Sequence, residues 1–170
     1  MPFEIRAIDE ADWPQIMQLQ RQAYHAVTPE REAVLRSKQR LGPRTCWVAI
    51  RRQQVVGYCL AHPWHAGPPP CLDQEYLPVS EPALLYVHDV VVAPQAQGLG
   101  VAAAFLRCAS AQARAHQLPS MALVAVQGAA GFWRRHRFAP GAHVPDPTIY
   151  GPAALYLQRP CQAEAVAPVG

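Results

Sequence analysis

Long apolar runs, runs of positive charge and paired cysteines are all missing from this chain of 170 residues. No stretch approaches the roughly 18 apolar residues of a membrane span, so none is expected. Net charge is only +3 and no cluster of Lys or Arg occurs. That argues against a nucleic-acid scaffold, which carries a basic stripe. The five cysteines (Cys46, Cys59, Cys71, Cys108 and Cys161) are odd in number and widely spaced, without a CxxC pair. They read as reduced residues of a cytoplasmic protein, several of them in the core. The opening MPFEIRAIDEAD is charged from residue 4 and lacks the apolar segment of a secretory signal. His62-Pro63-Trp64-His65 offers two imidazoles but no third ligand, so no metal is expected.

What is present fits one folded unit. Hydrophobic residues make up 51%, and a chain of this length buries about 70% of its unfolded surface. Residues 1–160 read as one domain and 161–170 as a loose tail. Phe3, Ile5 and Ala7 alternate with polar residues as a strand does. Asp9 caps a helix whose apolar positions are Trp13, Ile16, Met17, Ala23 and Tyr24. Thr28-Pro29-Glu30 predicts the start of a second helix, ending at Gly42-Pro43. TCWVAI (45–50) and QVVGYCLA (54–61) predict a hairpin. Residues 62–82 read as a long Pro-rich loop. LLYVHDVVV (84–92) reads as a central strand, followed by a helix from Val101 that ends near Leu118-Pro119. MALVAV (121–126) is a buried strand, AGFWRRH (130–136) a short helix, and RFAPGAHV and ALYLQ two closing strands. Strand, turn, helix and strand over 84–126 form a β-α-β unit with parallel strands. The fold class is α/β (α+β), with a mixed central sheet of six to seven strands and about four helices.

Between the central strand and its helix lies APQAQGLGVAAAF, with Gly98 and Gly100 at the helix mouth. A helix start presents unpaired N–H groups and a partial positive charge. Glycine lets the backbone approach an anion closely. Gln97, Gly98, Leu99, Gly100, Val101 and Ala102 can thus offer amides to a diphosphate. A Walker loop is excluded by the missing Lys. A dinucleotide fold matches Gly98-Leu99-Gly100-Val101-Ala102-Ala103 only formally. Five residues separate the strand from the turn, and the next strand ends in Val126-Gln127 rather than an acid.

Gln95-Ala96-Gln97-Gly98-Leu99-Gly100, the HDVVVAP before it, and the segment from Gln127 to Phe138 together resemble the motifs of the GNAT superfamily of N-acetyltransferases. The resemblance implies acetyl-CoA as donor. It implies central parallel strands that splay to receive the pantetheine arm. The glycine turn would hold the pyrophosphate. The backbone around Val90, Val91 and Val92 would hold the donor, with the Val90 N–H facing the thioester oxygen. Gln127 and Trp133 fall on cofactor-side positions. Family members place the base, or the residue orienting its water, at positions matching Tyr86 and His88. Arylalkylamine-type acetyltransferases are similar here, with imidazoles at both. His88 is thus the candidate base. In simple alternation Tyr86, His88, Val90 and Val92 share one face and Asp89 points to the other.

Trp133 departs from the family pattern, which has Tyr there as the usual acid. Tyr150, in PTIYGP, is a candidate substitute. Arg134, Arg135 and Arg137 read as a solvated face or as neighbours of the adenine 3′-phosphate. Trp64, Tyr76, Tyr24 and Tyr86 could line an aromatic pocket, with Asp73 and Glu75 drawing in a cationic amine. The resemblance implies direct acetyl transfer in a ternary complex, and the long loop favours a primary amine of a small molecule as acceptor. Homodimers occur in the family. The alternatives are a protein N-acetyltransferase, and a sensor or partner subunit that binds acetyl-CoA without turnover.

Overall fold

Among the described residues, seven strands form one sheet. The computed structural model describes residues 2–25 and 27–161. The strands are β1 (Glu4–Ala7), β2 (Cys46–Arg51), β3 (Gln54–Trp64), β4 (Leu84–Val92), β5 (Ser120–Ala125), β6 (Ala139–Pro140) and β7 (Leu155–Pro160). The helices are α1 (Trp13–Ala23), α2 (Glu32–Leu41), α3 (Val101–Ala115), α4 (Ala130–Arg135) and α5 (Pro147–Tyr150). The strands follow one another in the order β1-β2-β3-β4-β5-β7-β6, and all neighbours run antiparallel except β4 and β5, which are parallel. None of the helices described is long and apolar enough to cross a membrane. The expected tail lies outside the described residues from 162 onward.

Local chemistry accounts for most helix ends. Asp12 accepts from the Asp9 N–H and is gripped at both oxygens by Arg6, at 2.8 and 2.9 Å. This fixes the turn that feeds α1. α2 begins at Glu32, later than Thr28-Pro29-Glu30 suggests, with Arg31 as its extended N-cap. The reason lies at Glu30. Its backbone N–H and C=O are both taken by the buried Gln20 amide, each at 2.9 Å, which holds the segment extended. The N-cap of α3 is Gly100, whose φ of +85° is left-handed. Helix α3 packs its apolar side, with Val101, Phe105 and Ala109 buried, on the sheet.

Other boundaries shift for tertiary reasons. β3 continues through His62 and Pro63 to Trp64, because it pairs with β4 as far as Leu84. The stretch read as RFAPGAHV contributes only Ala139 and Pro140 to the sheet. PTIYGP holds α5 rather than a bare turn, since Asp146 caps it by accepting from the Thr148 N–H at 2.8 Å.

Two irregularities in β4 shape the centre of the molecule. Its ladder to β5 consists of Leu85↔Met121 and Tyr86↔Ala122 only, after which the strands separate. Its register with β3 runs Cys59↔Val90, Leu60↔Asp89, then Ala61↔Val87. His88 is therefore an extra residue, a β-bulge. Directly paired residues share a face of the sheet. Asp89 faces the side of Leu60, and Tyr86 that of His62. Val90 and Val92, paired with Cys59 and Gly57, face α3. A Cβ on Gly57 would sit 3.2 Å from Val101, which identifies that side. Simple alternation is thus corrected: Tyr86, His88 and Asp89 lie together, and Val90 and Val92 lie opposite.

Gly42 closes α2 against β3, and a Cβ there would come within 2.2 Å of the Ala61 carbonyl oxygen. Gly100 has open space around it and is constrained only by its φ. Gly42→Ala should therefore cost about 3 kcal/mol or more from backbone overlap, against about 1 kcal/mol for Gly100→Ala. Urea denaturation of both variants checks this; equal losses would contradict it.

Candidate active site

The separation of β4 from β5 opens a cavity of about 700 Å³. One wall is β4 from Val87 to Val92; the opposite wall carries Leu123, Val124 and Val126. The glycine turn, α4 and the end of α1 complete it. The Ala93 N–H donates to Val56 O at 2.8 Å. Antiparallel pairs alternate, so the N–H and C=O groups of Val90 and Val92 turn away from β3, toward the gap. Gln97, Gly98, Gly100, Val101 and Ala102 line the same cavity. Gly98 also has a left-handed φ, +81°, with nothing near its missing Cβ. The turn thus points a run of amides at the N-terminus of a helix of 15 residues.

The Leu99 side chain packs against the core cluster that holds Val101 and Phe105, and its N–H donates to Ala96 O at 3.3 Å within the turn. Gln127 lines the cavity, but its Nε2 donates to Ala23 O at 3.0 Å and its Oε1 accepts from His25 N–H at 3.1 Å. It ties the end of α1 across the gap. Trp133 lines the cavity and is buried edge-on between Phe132 and Phe138. Arg134, Arg135 and Arg137 are exposed.

A smaller cavity, about 40 Å³, adjoins the first. Tyr24, His88, Asp89, Val124 and Val126 line both. Gln20, Glu30, Leu72, Tyr86 and Tyr150 line only the smaller one. Tyr150 donates to Pro70 O at 2.6 Å, so α5 is joined to the long loop over this cavity. Glu30 adds a second fastening, accepting from the Asp73 N–H at 2.7 Å. Asp73 and Glu75 form ion pairs with Arg31 and Arg40, so they brace the loop instead of facing the cavity. Trp64 and Tyr76 stack edge-to-face, with Lys38 Nζ 4.9 Å from the Tyr76 ring.

The bulge places His88 against a partner not evident in the sequence. Glu30 Oε1 lies 2.5 Å from His88 Nε2, and both side chains are almost fully buried. Burial alone would raise the Glu30 carboxyl. The charge and hydrogen bond of His88, the Asp73 amide and Lys38 outweigh it and leave the pKa lowered. Glu30 therefore stays a carboxylate and accepts from Nε2–H. Whenever the ring is neutral, that bond fixes the tautomer with the lone pair on Nδ1. Asp89 behaves differently. Burial raises it to about 6, against the opposing pull of His88 and the Tyr24 and Tyr58 hydroxyls. Tyr58 donates to its Oδ2 at 2.6 Å and Tyr24 to its Oδ1. Among the described residues, no cluster able to hold a metal occurs.

A sequence model of the acetyltransferase (GNAT) family matches residues 13–138. The chain belongs to this family. It is accordingly a GNAT acetyltransferase, of the acetyl-CoA-dependent kind. No curated protein matches it in sequence. Solved structures share the fold at low identity. Ard1 from Thermoplasma volcanium is 14% identical, with a TM-score of 0.75 over 94% of this chain and 98% of that one. The NatC complex bound to Gag peptide and CoA is 13% identical, with a TM-score of 0.72 over 94% and 99%. The yncA protein of Salmonella typhimurium, with its cofactor acetyl-CoA, is 18% identical, with a TM-score of 0.68 over 99% and 98%. The splayed strands and the glycine turn of this GNAT chain are the features that give the cavity its shape.

His62 lies beside His88, with ring centroids 6.3 Å apart. Its Nδ1 donates to Pro63 O at 3.0 Å and its Nε2 is buried without a hydrogen-bond partner. Burial lowers its pKa to about 3. The unfolded chain takes this proton near pH 6.5, so between about 3 and 6.5 it binds more protons than the native chain. Stability must then fall as pH drops through that window. From this group the loss should reach about 2 kcal/mol at pH ~5. Urea denaturation of the wild type should show it, and His62→Leu should lack that component. An equal acid loss in both would contradict the assignment.

Proposed function

We propose that the chain transfers the acetyl group of acetyl-CoA directly to the primary amine of a small molecule, in a ternary complex. The observation that carries this reading is the meeting of a large cavity and a small one at His88. The large cavity has the walls a donor needs. The Val90 and Val92 amides face the gap for the pantetheine arm, and the amides of Gly98, Gly100, Val101 and Ala102 face the pyrophosphate. The Val90 N–H, aimed at the thioester oxygen, would stabilise developing charge by about 3 kcal/mol. Trp133 supplies an apolar wall.

The small cavity is the acceptor side. Its volume of about 40 Å³ and its roof, fastened at Tyr150–Pro70 and Glu30–Asp73, favour a compact amine over a threaded peptide. An amine attacks only when neutral. His88 Nδ1 takes the proton as nitrogen attacks the acetyl carbon. Glu30 holds the ring and balances the imidazolium that forms. Tyr86, on the same face, walls the acceptor.

Release of free thiol from acetyl-CoA, measured over aralkylamines, polyamines, amino sugars, amino acids and short peptides, tests this. One class of small amine should turn over. His88→Ala should lose roughly 10²- to 10⁴-fold in kcat with acetyl-CoA binding intact. Glu30→Gln should lose roughly tenfold or more, because the amide no longer enforces one tautomer. Turnover that survives His88→Ala removes it as the base. Turnover confined to peptides replaces the small amine with a protein acceptor. Tight acetyl-CoA binding without turnover on any amine makes the chain a sensor.

A further inference from the structure

Besides His88, taken as the base, and Asp89, the larger cavity is lined by His136, whose charged form burial and the Arg159 and Arg135 charges disfavour, so few groups there could give a proton to a leaving sulfur. Among its described lining residues, Tyr24 carries the one hydroxyl. Trp133 offers an indole N–H, which is a donor but a very weak acid. Tyr150 lines the smaller cavity, and its hydroxyl is bound to Pro70 O. Tyr24, in contrast, lines both cavities. It stands at the C-terminal end of α1, which Gln127 ties across the gap between β4 and β5. Its hydroxyl is hydrogen-bonded to Asp89, the residue that the bulge turns to the same side as His88.

We propose that Tyr24, backed by Asp89, protonates the thiolate as it departs, and so replaces an acid that the position of Trp133 does not supply. This rests on the acetyl-transfer reading. The amine nitrogen bonds to the acetyl carbon and gives its proton to His88 Nδ1. The carbon–sulfur bond breaks and its electron pair stays on sulfur. The Tyr24 O–H proton moves to sulfur while the Asp89 carboxyl proton moves to the Tyr24 oxygen. Free CoA thiol, a neutral tyrosine, an Asp89 carboxylate and a His88 imidazolium result. His88 then returns one proton to solvent and Asp89 recovers one. Nothing is oxidised or reduced. Burial and the Asp89 charge hold the Tyr24 hydroxyl above its usual range, so the step runs through the fraction of Asp89 that carries a proton and turns it to the Tyr24 oxygen, freeing the Tyr24 O–H for sulfur. Burial supports this by raising the Asp89 carboxyl to about 6, with His88, Tyr24 and Tyr58 opposing and Glu30 adding to the rise.

The test uses the full chain with Tyr24→Phe, alone and combined with Trp133→Tyr, which puts a phenol into the same cavity. Tyr24→Phe should lower kcat roughly 100-fold and leave the KM for acetyl-CoA within about twofold. Adding Trp133→Tyr should recover about tenfold. Calorimetric titration with CoA and with desulfo-CoA gives a readout that needs no turnover. Wild type should prefer CoA by about fivefold, through the hydroxyl on sulfur, and Tyr24→Phe should show no preference. A preference unchanged in Tyr24→Phe means that Tyr24 does not touch the sulfur, and overturns the proposal whatever the kinetics. So does a kcat within twofold of wild type. A fall that Trp133→Tyr does not relieve also counts against it. If the wild type turns over no amine, the acetyl-transfer reading fails, and the titrations still decide whether Tyr24 meets the sulfur.

Discussion

The site depends on one release of backbone pairing: β4 leaves β5 after Tyr86. A parallel ladder continued to Val92 would bury the Val90 and Val92 amides in sheet hydrogen bonds and close the cavity. Separation turns those groups toward open space at the point where the two strands diverge. It also brings the N-terminus of α3 to one end of that space and the end of α1 to its flank. The protein keeps the strands apart with side chains. Leu123, Phe132 and Trp133 occupy the far wall, and Gln127 bridges to α1.

The second constraint is the bulge at His88. One additional residue on β4 turns Tyr86, His88 and Asp89 to one side, where α1, the segment before α2 and the long loop converge. Buried charges then compensate one another. Glu30 faces His88, while Lys38 is buried nearby with its ammonium on Gln74 O at 3.0 Å. Removing one member would leave its partner charged in a dry environment, which costs far more than a surface pair contributes. Asp89 is different, since two phenols satisfy it without a formal counter-charge in contact.

The parts of this site that obey local rules are legible in the amino-acid sequence. Gly98 and Gly100 adopt the left-handed backbone that only glycine takes easily, and they open a helix as their spacing implies. Strand periodicity marks the limits of β4, Leu84 to Val92. The residues that long-range packing positions are less readable. Thr28-Pro29-Glu30 has the form of a helix start, yet Gln20 holds Glu30 extended and delivers it to His88. Simple alternation puts Asp89 on the wrong face, because a bulge depends on the partner strand's register. Asp73 and Glu75 could by sequence either draw in a cationic amine or order the loop, and they are ion-paired to α2 and its cap. Tyr24 reads as an apolar helix position that could line an aromatic pocket. Only the fold shows that it stands where the two cavities meet.

Amide hydrogen exchange at single-residue resolution, with and without acetyl-CoA, tests the central claim most directly. Donor held by the released edge of β4 should slow exchange at Val90 and Val92 and at Gly98, Gly100, Val101 and Ala102, and leave Val91, already turned to β3, unchanged. Binding of acetyl-CoA that protects other amides, with Val90 and Val92 exchanging as before, would contradict a donor site built on that edge.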